Sequence, residues 1–198
     1  TKMNAGLDLS LWNNSVNFVV DVFKEKREDI FMQRKNVPGS AGFNRNIWAN
    51  FGKVENRGFD MSLNINHQFN KDWAVSAMAN YTYAHNKIVE IDEPAAVLGT
   101  YRSGTGKPVG QLFGLIAERL FTEDDFDENG RLKEGIPAQN FSDASNLRPG
   151  DIKYKDLNGD GEVTAVDETA IGGTRIPEVV YGFGATVRYK AFDFGVFF

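Results

Sequence analysis

The chain has 198 residues, and 41% of them are hydrophobic, which suits one sizeable domain and argues against wholesale disorder. A formal net charge of −5, without any basic run, argues against a nucleic-acid partner, and the absence of cysteine excludes disulfides, thiolate metal sites and cysteine nucleophiles. No secretory signal opens the chain, and no run of about 18 apolar residues could form a membrane-spanning helix.

Alternation of apolar and polar residues predicts six β-strands of about ten residues each. Aromatic residues, which fit the pleat of a sheet, are abundant, with 16 Phe and 6 Tyr. Turn signals at 13–14, 70–72 and 190–191 join the strands into three hairpins. Because the chain begins and stops within alternating patterns, we expect it to be a piece of a longer protein. In chain order, the strands are expected at 7–11, 16–22, 59–66, 73–83, 179–189 and 192–198.

The short turns alternate with two long segments, about 25–56 and 86–178, so the long connections fall on one side of the sheet. This arrangement is typical of an outer-membrane β-barrel, whose apolar face meets lipid and whose polar face meets a wet lumen. We predict an all-β fold: an antiparallel up-and-down transmembrane β-barrel portion of about six strands with two long extracellular loops. A soluble β-sandwich is the alternative, although it rarely carries a loop of about ninety residues.

The segment 156–167 has the spacing of a calcium loop, with Gly161 at the sharp turn. Thr164 would supply a further oxygen ligand, either directly or through a water molecule. Asp167 stands where an EF-hand has Glu, and no helix-loop-helix frame surrounds the segment. The alternative is a turn that binds nothing and whose side chains cap backbone amides. The predicted ligands are the side chains of Asp156, Asn158, Asp160 and Asp167 and the backbone carbonyl of Glu162.

Aromatic side chains in the long loops are candidates for contacting a ligand, because their faces stack on sugar rings and anchor protein partners. The alternative is that they pack the loops against each other, which we expect for Phe113 and Phe121. Trp48 and Tyr101 are the predicted contacts to substrate or partner. The full set is Phe43, Trp48, Tyr101, Phe113, Phe121, Phe126 and Phe141.

Longer motifs occur in a fixed order along nearly the whole chain. The most specific is Arg148-Pro-Gly-Asp-Ile-Lys-Tyr-Lys-Asp-Leu-Asn-Gly-Asp-Gly-Glu162, which resembles the C-terminal part of SusC/RagA-type outer-membrane transporters. These are TonB-dependent nutrient importers of the Bacteroidetes. The resemblance extends through Asn50–Asp60, Gly110–Gly114, Asp167–Gly173, Pro177, Tyr181–Phe183 and Tyr189–Phe198.

The resemblance implies a cell outer-membrane protein with an N-terminal plug inside a barrel of about 22 strands. It also implies a SusD-like surface lipoprotein as a lid, TonB as the energy source, and oligosaccharides or peptides as substrates. The present chain would then form the downstream part of the barrel wall. The plug and the TonB-contacting region would lie outside it.

Two other classes of function compete with the importer. A secreted calcium-binding β-domain that docks a protein or glycan partner would need a loop such as 156–167. A β-sandwich glycoside hydrolase would need two positioned carboxylates in a rigid cleft. Because the carboxylates are concentrated in turns, we expect no enzyme.

Overall fold

The computed structural model describes residues 1–42, 46–140 and 147–198. These residues form two compact units. The first comprises Thr1–Met32, Trp48–Ile91 and Ile176–Phe198, and the second comprises Gln33–Ile47 and Asp92–Arg175. Among the described residues, no helix is both long enough and apolar enough to cross a membrane.

Twelve β-strands are present in the described parts of the chain, and the longest belong to the first unit. In order they are β1 (Lys2–Leu11), β2 (Val16–Gln33), β3 (Trp48–Gln68), β4 (Trp73–Glu90), β5 (Gln111–Gly114), β6 (Ala117–Leu120), β7 (Ala138–Gln139), β8 (Ile152–Tyr154), β9 (Glu162–Val163), β10 (Thr169–Thr174), β11 (Val179–Tyr189) and β12 (Phe192–Phe197).

The first unit is a six-stranded sheet in the order β1-β2-β3-β4-β11-β12. The pairs β1–β2, β3–β4, β4–β11 and β11–β12 are antiparallel, as predicted. The three expected short turns are also confirmed. Asn13, Asn14 and Lys190 adopt positive φ, and the side chain of Asn70 accepts hydrogen bonds from the backbone of Asp72 and Trp73. The order ends at β1 and β12, so this part of a barrel is open.

The strands are longer than predicted. β2, β3 and β4 contain 18, 21 and 18 residues. The connection expected over 25–56 is therefore wrong at both ends, since only residues 34–47 separate β2 from β3. The second connection begins after Glu90, not at 86. The extra strand residues are paired through backbone hydrogen bonds, which do not require apolar side chains. Their side chains include charged pairs such as Lys53–Glu90 at 2.6 Å, so the alternation of apolar and polar residues does not mark them as strand.

The strand register aligns apolar residues on one face of the sheet. Leu63 lies opposite Ala79, which lies opposite Phe183. One step along the strands, the opposite face carries Asn64, Met78 and Gly184 in the same order. Gly58 is required where β3 approaches β4, because a Cβ there would overlap the carbonyl oxygen of Tyr83 and the ring of Phe23.

The second unit contains three small sheets, β5–β10, β6–β8 and the parallel pair β7–β9. The long connection predicted over 86–178 therefore contains short strands that the sequence analysis did not predict. Their core is small: Phe121 and Val163 are buried, and the ring of Phe126 lies 5.6 Å from that of Phe121. Gln139 is also buried, and its side chain accepts from the backbone of Tyr154 and donates to it, at 3.0 and 3.2 Å. Paired polar groups thus replace part of a hydrophobic core.

Candidate functional site

Aromatic rings mark both ends of the apolar face of the first unit. Trp73 and Tyr189 are register partners beside the short turns, and their ring centroids lie 4.5 Å apart. At the other end, Phe59 lies 5.8 Å from both Tyr81 and Tyr83. Ten residues of strand between these ends rise about 33 Å, or about 25 Å when tilted by about 40°. That is the height of the apolar band of a transmembrane barrel.

Large apolar side chains cover this band and are exposed. Phe183 is 51% exposed and Phe194 is 71% exposed. A soluble protein rarely exposes a continuous apolar surface of this kind, because water disfavours it. The face is therefore suited to lipid, as the sequence predicted. Other exposed members are Leu7, Leu9, Leu11, Val22, Val179, Tyr181, Tyr189, Phe192 and Val196.

The opposite face of the same strands is polar. Asp60 pairs with Thr82, and Ser62 pairs with Asn80. Farther along the sheet, Arg188 lies opposite Asp193. The two faces of the sheet thus differ in the way that a lipid-facing outside and a wet inside require.

The acidic loop 156–167 is held by its own side chains. Asp156 accepts from the N–H groups of Gly159 and Gly161 at 2.6 and 2.9 Å. Both glycines have positive φ, of 77° and 88°, which a residue with a Cβ rarely adopts. Asp160 accepts from the N–H of Glu162 at 2.9 Å and from the side chain of Asn158 at 2.8 Å.

Asp167 is the buried end of this loop, with 0% of its surface exposed. Its carboxylate accepts from the N–H groups of Leu157, Asn158 and Thr164 at 2.9, 3.3 and 2.8 Å. Burial raises the pKa of Asp167, but the hydrogen bonds from Thr164, Leu157 and Asn158 outweigh it, so its pKa is lowered. The side chain therefore stays charged and fixes both ends of the loop.

The loop thus shows the amide-capping arrangement that was the alternative to a calcium site. The side chain of Glu162 accepts from Asn140 at 3.1 Å. Within the described residues, no group of three or more His, Asp or Glu side chains is placed to hold a metal ion. The residues as placed do not form a cation cage, and calcium binding stays a prediction.

The two predicted aromatic contacts are both exposed. Trp48 is 54% exposed and stacks on Phe31 at 5.5 Å. Tyr101 is 47% exposed, and its hydroxyl donates to the carbonyl of Leu157 at 3.1 Å, so it also braces the acidic loop. Their role in contacting a ligand stays a prediction.

The other loop aromatics have varied positions. Phe121 and Phe126 are core residues of the second unit, and Phe113 is half-buried in β5. Phe43 and Phe141 lie outside the described residues.

Sequence reasoning did not predict the burial of another carboxylate in the second unit, Asp125. Arg119 binds it with two hydrogen bonds, at 2.5 and 2.6 Å, and the N–H of Thr122 donates to it at 2.8 Å. The Arg119 guanidinium holds the pKa of Asp125 well below its usual value. The sequence does contain a signal for this arrangement, because Thr122 and Asp125 have the same capping-box spacing as Thr164 and Asp167.

The apolar face, its aromatic ends and the polar face define a segment of an outer-membrane β-barrel wall. The family model described as "TonB dependent receptor-like, beta-barrel" matches residues 1–196. The chain belongs to this family and is of the SusC/RagA type, which places it in the outer membrane. Members of the family are transporters, not enzymes.

Relatives and solved structures agree with this assignment. The chain is 30% identical to TonB-dependent receptor P39 of Formosa agariphila, over all of the chain and 21% of that protein. It is 26% identical to TonB-dependent receptor SusC of Bacteroides thetaiotaomicron, over 98% of the chain and 18% of that protein. The chain therefore spans about a fifth of the length of these relatives.

Several solved structures share its fold, and two of them serve as examples. They are the RagAB peptide importer in its open-open state, with a TM-score of 0.67, and in its closed-closed state, with 0.65. Each is 19% identical in sequence, and each match covers 99% of the chain. The chain covers 19% of the open-open protein and 20% of the closed-closed one.

Proposed function

We propose that the chain forms part of the barrel wall and extracellular face of an energy-coupled importer of oligosaccharides or peptides. A SusD-like surface lipoprotein would close over the barrel, and TonB would supply the energy. The observation that carries the proposal is the two-faced sheet: an apolar band about 25 Å high between aromatic ends, backed by a polar face.

The direction of the connections supports an extracellular role for the second unit. The short turns 12–15, 69–72 and 190–191 lie at one end of the sheet. The long connections after Gln33 and after Glu90 leave from the other end. In outer-membrane barrels the short turns are periplasmic and the long loops are extracellular.

The relatives support import of a nutrient, and they leave its chemical class open. One structural neighbour is a peptide importer, and we extend that activity to this chain only as one of two candidates. Exposed aromatics such as Trp48 and Tyr101 suit either a sugar ring or an apolar peptide side chain. They would equally suit the rim of a lid protein.

In this proposal the acidic loop is a brace. Asp156, Asp160 and Asp167 fix its shape through backbone N–H groups, and Tyr101 contacts it from a neighbouring turn. Calcium, if bound there, would add to this bracing. The secreted calcium-binding domain is not favoured, since the chain belongs to the receptor family over residues 1–196.

Uptake by living cells tests the proposal. Cells that lack the full-length receptor would be supplied with labelled oligosaccharides or labelled peptides, with and without the receptor restored. We expect one substrate class to enter only when the receptor is present, and entry to stop when TonB is depleted. Uptake that depends on neither would overturn the proposal. A matched strain that lacks only the candidate lid lipoprotein distinguishes the contribution of the partner to uptake from that of the receptor.

A further inference from the structure

Two consecutive acidic residues, Asp92 and Glu93, are buried in the second unit, away from the acidic loop in sequence. They are 8% and 6% exposed. A buried carboxylate without hydrogen-bond donors is strongly unfavourable, so each must be held by specific partners. The partners of the two residues are different.

Asp92 holds the segment that follows β2. Its Oδ2 atom accepts from Nε of Arg34 at 2.7 Å and from the backbone N–H groups of Lys35 and Asn36 at 2.7 and 3.2 Å. The N–H of Arg34 donates to the carbonyl of Ile47 at 2.8 Å, which closes the connection at its base. The hydrogen bond from Arg34 lowers the pKa of Asp92, so the group is charged at neutral pH.

Glu93 holds a separate turn. Its Oε1 atom accepts from the N–H of Gly104 at 2.6 Å. Its Oε2 atom accepts from the hydroxyls of Ser103 and Thr105 at 2.8 and 3.0 Å. Burial raises the pKa of Glu93, but the donors of this turn outweigh it and the pKa is lowered.

The turn held by Glu93 touches the acidic loop. Tyr101 donates to the carbonyl of Leu157 at 3.1 Å, and Arg102 forms an ion pair with Glu168 at 3.0 Å. Glu93 therefore influences the position of the exposed Tyr101 ring indirectly, by holding the turn that follows it.

We propose that Asp92 and Glu93 are two independent anchors at the root of the long connection. Asp92 fixes residues 34–36, and Glu93 fixes residues 103–105. Because the donors to Asp92 lie at 34–36 and the donors to Glu93 lie at 103–105, loss of one carboxylate is expected to release its own segment first. The inference does not depend on the transported substrate.

Hydrogen exchange of the full-length receptor tests this inference. Asp92→Ala removes the acceptor of the Lys35 and Asn36 amides, so their exchange should accelerate by about tenfold or more while that of Gly104 is unchanged. Glu93→Ala should produce the reverse pattern. Glu134→Gln, at an exposed position of the same unit, is the matched control and should change neither.

Two outcomes would overturn the inference. Acceleration of both segments in one single variant would show that the acids act as one element, and acceleration of neither would show that they are not anchors. Where the alanine variants fail to assemble, Asp92→Asn and Glu93→Gln keep the side-chain size and remove the charge. The same crossed pattern, with smaller changes, is then expected.

Discussion

Trp73 and Tyr189 are direct register partners on β4 and β11, and their rings meet at 4.5 Å where the apolar face ends. Two residues 116 positions apart therefore build one corner of an aromatic belt. Such pairs add about 0.5–1.5 kcal/mol beyond their buried area. Aromatic residues of this kind are enriched where a barrel wall meets the membrane–water interface.

This pair should be energetically coupled. We expect a double-mutant cycle of Trp73→Ala and Tyr189→Ala to give a coupling energy of about 0.5–1.5 kcal/mol in the unfolding of the full-length receptor in lipid vesicles. Trp12→Ala with Tyr189→Ala is the control, since Trp12 lies in the β1–β2 turn. Equal coupling in both cycles would contradict a specific ring contact.

Asp167 should matter more to the acidic loop than Asp160. Asp167→Ala leaves three backbone N–H groups near a buried site without their acceptor, which should cost about 1–3 kcal/mol of local stability. Asp160→Ala affects an exposed carboxylate and should cost less than about 1 kcal/mol. Limited proteolysis of the full-length receptor measures the difference. Greater cleavage in the Asp160 variant would contradict the assigned roles.

Calcium binding can be measured directly. If the predicted site exists, calorimetric titration of the full-length receptor should give heat that is lost in the Asp156→Ala and Asp160→Ala variants. Asp127→Ala is the control, because that carboxylate caps a separate turn at Asn129 and Arg131. No heat in the unaltered receptor would leave the loop as an amide-capped brace only.

The second unit should lose stability in acid. The pKa values of Asp92, Asp125 and Asp167 are lowered in the folded state, so each contributes stability that is present above the ordinary carboxyl pKa of about 4. That stability is lost as the pH falls from about 4 through the lowered values. Protease digestion at pH 4 and 3, with an acid-active protease, should show cleavage in 92–140 and 147–175 rising relative to cleavage of the first-unit strands. Asp125→Asn should weaken the dependence.

Protection of these segments that increases as the pH falls would contradict the sign of this effect. The strands of the first unit provide the internal reference, since their ladder does not depend on the three carboxylates. Cleavage that rises equally in both units would indicate global unfolding instead.

The sequence predicted the strands and their faces because a period of two is a local signal. Residues 59–66 and 73–83 alternate cleanly, and the register pairs them as expected. The strand extensions into charged residues could not be predicted in this way, since backbone pairing there does not depend on side-chain polarity. Asp92 was missed because its partner Arg34 is 58 positions away, a separation that carries no local pattern.

The candidate site was predicted only where its contacts are local in sequence. The acidic loop was visible because its donors and acceptors lie within twelve positions of one another. Asp167 shows the limit of this reasoning. Spacing marks it as a ligand or a cap, and only the fold shows that it is fully buried and bonded to Leu157, Asn158 and Thr164.

The central claim is that one face of the sheet meets lipid and the other does not. Ala79 and Met78 are adjacent on β4 and lie on opposite faces, opposite Phe183 and Gly184. In the full-length receptor in lipid vesicles, Ala79→Arg should reduce the free energy of unfolding by about 2–4 kcal/mol. Met78→Arg should reduce it by less than about 1 kcal/mol. Equal costs, or a greater cost for Met78→Arg, would contradict the assignment of the faces.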